Sequence, residues 1–199
     1  GDAAEDLDLN LMAGKWRLVY TTAADVLSVL RLQRDTGLIE VGDIFQSFTA
    51  DGSIENEIRL SVPFLLAPAT QGTDGGVALK VEAEYVRVGG RTLKLTFNEA
   101  RLSEVRISDA VEAVLAPALL PRGNLNHQVL LALRELELRI PLRGAVTAMG
   151  GGGGGAAGAA GGGGGSKGGA AVGTYMLSYV DEDVLVGRAG TGGGGFIFK

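Results

Sequence analysis

One stretch, GKWRLVYTT at residues 14–22, constrains the fold of this chain more than any other. A β-strand sends alternate side chains to opposite faces, so Trp16, Leu18 and Tyr20 share one face of a strand. Trp16 is the only tryptophan, and its large apolar ring is suited to closing one end of whatever the strands enclose. Gly14 allows the chain to turn sharply into this strand. The pattern predicts a core around Trp16, which either packs within it or contacts a ligand there.

The composition favours one domain over 199 residues and excludes several functions. No apolar run reaches the ~18 residues that cross a bilayer as a helix. The net charge is −5 and the basic residues are scattered, which argues against nucleic-acid binding. Cysteine is absent and His127 is the one histidine, so disulfides and a Cys/His zinc site are ruled out, and we expect no metal or cofactor. The first residue is Gly1 rather than methionine, as expected of a trimmed product.

A first hairpin is predicted over residues 39–62, because Asp51-Gly52 is a strong signal for a two-residue turn. Pairing across such a turn sets Phe45 opposite Ile58 on the inner face. Two polar side chains then also point inward, Ser47 and Asn56. A hydrogen bond between them is favoured over contact with a ligand, because an unpaired buried amide is costly.

A second hairpin is predicted over residues 77–98, around Gly89-Gly90. A three-residue loop that includes Val88 sets Tyr85 opposite Leu93 and gathers the apolar side chains on one face. These side chains are Val81, Ala83, Tyr85, Leu93, Leu95 and Phe97. The pattern therefore predicts a loop of odd length with a glycine bulge.

The remaining elements are short. Helices are predicted over residues 2–12 and 24–32, and after caps at Ser108 and Asn124. Further strands are predicted at residues 101–105, 137–142, 174–180, 184–188 and 195–199. Residues 149–173 are almost entirely glycine and alanine, which is typical of a flexible insertion, here in a single domain of residues 1–199. Many antiparallel strands with one apolar face predict a mainly β fold, closed into a barrel or half-barrel with a few short helices at its ends.

Three parts of the sequence resemble the plastid lipid-associated protein or fibrillin (plastoglobulin) family. They are GKWRLVYTT at 14–22, VGDIFQ at 41–46, and YVDEDVLVGR at 179–188 followed by FIF at 196–198. The resemblance implies a lipocalin-like barrel without enzymatic activity. It also implies a plastid location at thylakoids or plastoglobules, and binding of prenylquinones, carotenoids or other isoprenoids, with contacts to a membrane or a thylakoid protein.

The resemblance also suggests roles for individual residues. The Gly14 and Trp16 start is similar to the lipocalin signature, in which the tryptophan packs against an arginine of a late strand. Arg188 is the candidate, and we predict its guanidinium within about 6 Å of the Trp16 ring. Asp181 and Asp183 match the family's acidic turn, where capping the turn or pairing with Arg188 is favoured over orienting a ligand.

Three functions are weighed. In the first, the barrel holds an apolar ligand against the side chains of Trp16, Tyr20, Phe45, Asn56, Ile58, Tyr85, Leu93, Phe97 and Tyr179. The alternative is that these side chains fill the interior, and a cavity of at least ~300 Å³ open at one end distinguishes the two. In the second, the protein coats a lipid surface or bridges proteins, through exposed Phe64, Leu65 and Leu66. In the third, which is the least favoured, it is an enzyme that acts on an isoprenoid, with a general base among Glu55, Glu57, His127 and Asp183.

Overall fold

Antiparallel strands dominate the structure, a computed structural model that describes residues 9–70, 72–113, 132, 135–142, 172–190 and 193–199. A 3-10 helix over Leu9–Met12 precedes the first strand, and one α-helix, α1, spans Ala24–Thr36. The strands are β1 (Gly14–Thr21), β2 (Glu40–Phe48), β3 (Ser53–Ser61), β4 (Val77–Arg87), β5 (Thr92–Ser103), β6 (Leu138–Pro141), β7 (Val172–Val180), β8 (Leu185–Ala189) and β9 (Gly195–Phe198).

Eight of these strands close into a barrel. Their order around the wall is β4, β3, β2, β1, β9, β8, β7 and β5, and β5 pairs back with β4 to complete the ring. Every pairing is antiparallel. The predicted mainly β barrel is therefore confirmed.

The barrel has two different ends. What we call the lower end carries the helix Leu9–Met12 and the loops at residues 49–52, 88–91 and 181–184. The upper end carries α1 and the long connection at residues 62–76 that leads from β3 to β4. The buried apolar core lies in the lower half of the barrel.

Strands β6 and β7 lie end to end along the same edge of β5. In β6, Leu138 pairs with Leu102, and just after it the Leu142 amide donates to the Asn98 carbonyl at 3.0 Å. In β7, Val172 pairs with Thr96. The same edge of β5 is therefore paired with β7 along residues 92–96 and with β6 along residues 99–102. Among the described residues, β6 has no strand on its other side. The predicted insertion at 149–173 lies outside the described residues, except that its last two residues belong to β7.

The first hairpin differs from the prediction by one residue. The Thr49 amide donates to the Ser53 carbonyl at 3.0 Å, and Gly52 has φ of 89°, so the loop has three residues and not two. Phe45 consequently pairs with Glu57, while Ile58 pairs with Ile44. A shift of one residue moves a side chain to the other face of the sheet. The predicted inner positions of Phe45 and Ser47 are therefore wrong, and Ile44, Gln46 and Phe48 point inward.

The second hairpin has the predicted odd loop length. The Val88 amide donates to the Thr92 carbonyl at 2.9 Å, which leaves a loop at residues 89–91. Tyr85 pairs with Leu95 and not with Leu93. Because this differs from the prediction by an even number of residues, the apolar side chains still share the inner face, as expected.

Three of the predicted helices fall at least partly within the described residues, and of the one predicted over residues 2–12 the described part is the 3-10 helix Leu9–Met12. The helix α1 continues to Thr36, four residues beyond the predicted end, and stops where Gly37 takes φ of 63° and its amide donates to the Gln33 carbonyl. Glycine adopts this left-handed conformation without strain. Ser108 caps a helical turn at residues 109–113, since its hydroxyl accepts from the Val111 amide at 3.2 Å. The helix predicted after Asn124 lies outside the described residues.

Candidate functional site

The lower half of the barrel is filled by its own side chains. Trp16 is buried and its indole N–H donates to the Met12 carbonyl at 2.8 Å, which ties the strand to the helix that closes this end. Leu93 is also buried in this cluster, and Tyr85 and Phe97 pack against it. Tyr85 meets Phe48 edge to face at 5.9 Å between ring centroids. Four of the residues predicted to contact a ligand are thus members of a packed core.

The inner wall of the upper half is apolar but only partly buried. By register, Ile58 lies between Ile44 on β2 and Leu79 on β4, and Leu79 faces Leu102 on β5. All four side chains are half-buried. Further along the same row, Leu138 on β6 is exposed. The strands that pack tightly below therefore leave an accessible apolar surface above.

Polar atoms also lie on the inner face. Gln46 is buried and donates its amide N–H to the Asn56 side-chain oxygen at 2.8 Å, whereas its own Oε1 has no hydrogen-bond partner. The hydroxyl of Tyr175, also buried, has none either. Burial raises the pKa of Tyr175, so this phenol stays protonated. The sequence prediction had included Asn56 but missed Gln46 and Tyr175, although alternation from Phe48 and from Leu177 points to both.

For three other predicted contact residues, the predicted inward orientation is wrong. Phe45 lies on the outer face, where the Lys15 ammonium sits 4.2 Å from the centre of its ring. Tyr20 and Tyr179 are 59% and 50% exposed. Each follows a register shift in its strand, between Leu18 and Tyr20 in β1 and between Leu177 and Tyr179 in β7. A bulge changes which side chains point inward, which the simple alternation did not include.

The acidic turn between β7 and β8 is built around Asp181. Its carboxylate accepts from the amides of Asp183 and Val184 at 2.8 and 2.7 Å and from the Tyr179 hydroxyl at 2.7 Å. The hydrogen bond from Tyr179 and those from the two amides lower the pKa of Asp181. The predicted capping role is confirmed for Asp181, and the Asp183 side chain is exposed at the same turn.

The predicted contact between Trp16 and Arg188 is not formed. Arg188 pairs with Gly195 on β9, and the Gly195 carbonyl accepts from the Thr22 amide at 2.9 Å. Thr22 lies six residues beyond Trp16, which at ~3.3 Å per residue places Arg188 roughly 20 Å along the wall. Arg188 is also exposed, whereas Trp16 is buried. The late arginine belongs to the upper end and the tryptophan to the lower one.

An apolar tip projects from the upper end. Phe64 is 85% exposed and Leu65 is 58% exposed, while Leu66 is half-buried. Phe64 has φ of 70°, a conformation that is uncommon for a residue other than glycine. The tip is held in place by hydrogen bonds, since the Ser108 hydroxyl donates to the Phe64 carbonyl at 2.6 Å and the Ser108 amide donates to the Leu65 carbonyl at 3.1 Å. The exposure is therefore a feature of an ordered loop.

The carboxylates considered for catalysis lie apart from the inner wall. Glu57 pairs with Lys15 at 3.0 Å and with Arg59 at 3.3 Å on the outer face, and Glu55 pairs with Arg101 at 3.6 Å. His127 lies outside the described residues. In the part of the chain that the structure describes, no group of three or more acidic or histidine side chains is placed to hold a metal ion.

A cleft of about 400 Å³ lies at the lower end, and its lining combines apolar and charged residues: Leu11, Ala13, Gly14, Trp16, Lys15, Glu182, Asp183 and Lys199. Trp16, one of the predicted contact residues, is in this lining, whereas the half-buried upper wall at Ile44, Ile58, Leu79 and Leu102 is not. Among the described helices, none combines the length and apolar character needed to cross a membrane.

The fold defines the class of protein as an eight-stranded antiparallel barrel with a packed lower half and an apolar, partly exposed upper half. The chain belongs to the PAP_fibrillin family, whose sequence model matches residues 3–141. It is also 32% identical over 202 aligned positions to "Probable plastid-lipid-associated protein 10, chloroplastic" of Arabidopsis thaliana.

That alignment covers 99% of this chain and 63% of the Arabidopsis protein, so the chain spans less than two thirds of its relative. The family model and this relative together confirm the family resemblance noted in the sequence. No solved structure matches the chain.

Proposed function

We propose that this chain is a non-enzymatic plastid protein that holds an apolar lipid in the upper half of its barrel. The observation that carries the proposal is the half-buried apolar inner wall above a packed core. It includes Ile44, Ile58, Leu79 and Leu102. Apolar side chains that stay in contact with water forfeit about 25 cal/mol for each Å² left unburied. A lipid chain lying against this wall recovers that free energy, and few polar contacts are needed to hold it.

The proposed ligand is a prenylquinone, a carotenoid or another isoprenoid, and the proposed location is the thylakoid or the plastoglobule. Membership of the PAP_fibrillin family supports a lipid-related role. The name of the Arabidopsis relative, plastid-lipid-associated and chloroplastic, supports the plastid. The absence of catalysis is part of the proposal, and it is supported by the ion pairs that occupy Glu55 and Glu57 on the outer face.

Binding of the apolar fluorescent probe N-phenyl-1-naphthylamine tests this function. We expect saturable binding to the native chain and a loss of at least tenfold in Ile58→Arg, because the new charge lies on the inner wall. Val86→Arg is the matched control, since Val86 is exposed on the outer face near the lower end. Its binding should equal that of the native chain. Absence of saturable binding, or an equal loss in both variants, contradicts the proposal.

A second function is favoured by the apolar tip at Phe64 and Leu65. We propose that this tip docks the barrel on a lipid surface, where exposed aromatic and aliphatic side chains enter the boundary between headgroups and acyl chains. Phe64 and Leu65 lie at the same end as the partly exposed inner wall. A barrel docked through this end would receive its apolar ligand directly from the lipid.

Flotation with vesicles of chloroplast galactolipids tests the docking. The double variant Phe64→Glu and Leu65→Glu should stay at the bottom of the gradient while the native chain floats. A matched control, Val86→Glu with Val88→Glu, places the same two charges on exposed apolar positions at the lower end, and it should float normally. Equal flotation of the native chain and the tip variant contradicts docking through the tip.

A further inference from the structure

We propose that Gln46 is a hydrogen-bond acceptor for a hydroxyl group on the apolar molecule held in the barrel. The inference rests on the proposed ligand-binding function and specifies the chemistry of the ligand. It concerns a single atom, the side-chain oxygen Oε1 of Gln46, which is buried on the inner face without a partner.

The position of Gln46 is fixed by its strand. It pairs with Trp16 on β1 and with Asn56 on β3, so both neighbours across the wall point inward with it. The amide N–H of Gln46 donates to the Asn56 oxygen at 2.8 Å. This bond orients the amide and leaves Oε1 as the group still to be satisfied.

Gln46 also lies at the boundary between the two halves of the barrel. Phe48, two residues on, is buried in the lower core, whereas Ile44, two residues back, is half-buried in the upper wall. Asn56 beside it is half-buried as well. A molecule lying along the upper wall would therefore bring its inner end to the floor formed by Gln46 and Asn56.

The chemistry of the atom selects the ligand group. A side-chain amide oxygen only accepts hydrogen bonds, so its partner must donate one. An alcohol or phenol hydroxyl fulfils this, whereas an ether, an ester or a plain hydrocarbon does not. Leaving such a buried acceptor unpaired is unfavourable, and a donor on the ligand removes that penalty. The preferred ligand is therefore an apolar chain that ends in a hydroxyl.

Among the described residues, two other buried side-chain atoms have no hydrogen-bond partner, and neither fits this role. The Tyr175 ring lies 6.4 Å from both Phe48 and Phe196 within the packed core. A methyl group added at Gly187 would come within 2.1 Å of the Tyr175 hydroxyl, so the space around it is already taken. The Nε of Arg101 has no hydrogen-bond partner, but it lies 3.5 Å from a carboxylate oxygen of Glu99 on the outer face, among further glutamates.

A comparison of two probes tests the inference, namely 1-dodecanol and dodecyl methyl ether, each measured by displacement of N-phenyl-1-naphthylamine. The alcohol should bind the native chain about tenfold more tightly, the effect of one hydrogen bond to a buried acceptor. In the double variant Gln46→Leu with Asn56→Leu, both probes should bind with the affinity of the ether. The control Ser47→Ala, on the outer face, should keep the preference.

The outcomes separate this inference from the function on which it rests. Equal affinity of the native chain for the two probes overturns the role of Gln46 and leaves lipid binding intact; a water molecule on Oε1 would give this result. A preference for the alcohol that survives in the double variant also overturns the role of Gln46. Displacement by neither probe overturns ligand binding in the barrel, and the inference with it.

Discussion

The two halves of the barrel use the same strands in different ways. In the lower half, Trp16, Leu93 and Leu185 are buried and the helix at Leu9–Met12 closes the end. In the upper half, inner side chains such as Ile58 and Leu79 are as apolar but remain half-buried. The same alternation therefore produces a core below and an accessible apolar wall above. The difference indicates that the tightly packed part of the core lies in the lower half, and it is the basis of the binding that we propose for the upper half.

The largest expected effect compares one leucine from each half. Leu93→Ala removes a fully buried side chain and should lower the free energy of unfolding by about 2–5 kcal/mol. Leu79→Ala, in the half-buried wall, should cost about 1 kcal/mol, because part of that side chain is already hydrated. Urea unfolding of both variants measures the difference. Equal losses would mean that the two halves are packed alike.

Adding atoms to the lower half, instead of removing them, also tests how tightly it is packed. Gly187→Ala puts a methyl group within 2.2 Å of Tyr175 ring and hydroxyl atoms and should destabilise the fold by about 1–3 kcal/mol. The control Gly89→Ala adds the same group in the loop between β4 and β5, where the nearest atom is 3.8 Å away. Thermal unfolding should leave the control unchanged. If Gly187→Ala left the stability unchanged, the lower half would have space for an added methyl group, which contradicts tight packing.

The stability that the outer face contributes near the upper end depends on charged side chains and therefore on pH. A hydrogen bond from Lys80, and another from Arg59, hold the pKa of Glu104 below its ordinary value of 4.5. A carboxyl with a lowered folded-state pKa adds stability above 4.5, and that contribution disappears as the pH falls through the lowered value. Glu104→Gln should therefore be less stable at pH 7, by under about 1 kcal/mol for this partly exposed group. The two proteins should converge in acid, and a constant difference at every pH would contradict this account.

The smallest effect is expected at the Tyr175 hydroxyl. Because this group has no hydrogen-bond partner, Tyr175→Phe should change the free energy of unfolding by less than about 0.5 kcal/mol or raise it slightly. Chemical unfolding of the variant beside the native chain measures this. A loss above about 1 kcal/mol would show that the hydroxyl is paired within the lower half.

Much of the fold follows from local patterns in the sequence. The turn signals around Gly52 and Gly89, the alternation in the strands and the cap at Ser108 predicted most of the elements. The inner face was harder to predict, because it depends on the exact length of each loop. The three-residue loop that ends at Gly52 turned Phe45 outward and Gln46 inward, although a glycine at the last loop position is a known mark of such a loop.

Bulges account for the other errors in the candidate site. Register shifts in β1 and β7 turn Tyr20 and Tyr179 to the outer face. No local pattern in the sequence of those strands indicates the shifts. The proposed pair of Trp16 and Arg188 failed for a different reason, since it depended on the relative register of strands far apart in sequence. Positions set by the chain's own alternation were predictable, whereas positions set by long-range register were not.

Hydrogen–deuterium exchange with and without 1-dodecanol tests the central claim most directly, because it reports where along the barrel a bound apolar molecule acts. The account predicts slower exchange of the backbone amides in the upper half, around Ile58, Leu79 and Leu102, while amides of the lower half, around Leu93 and Leu177, keep their rates. Protection that is confined to the lower half, or exchange that is the same with and without the alcohol, would contradict it.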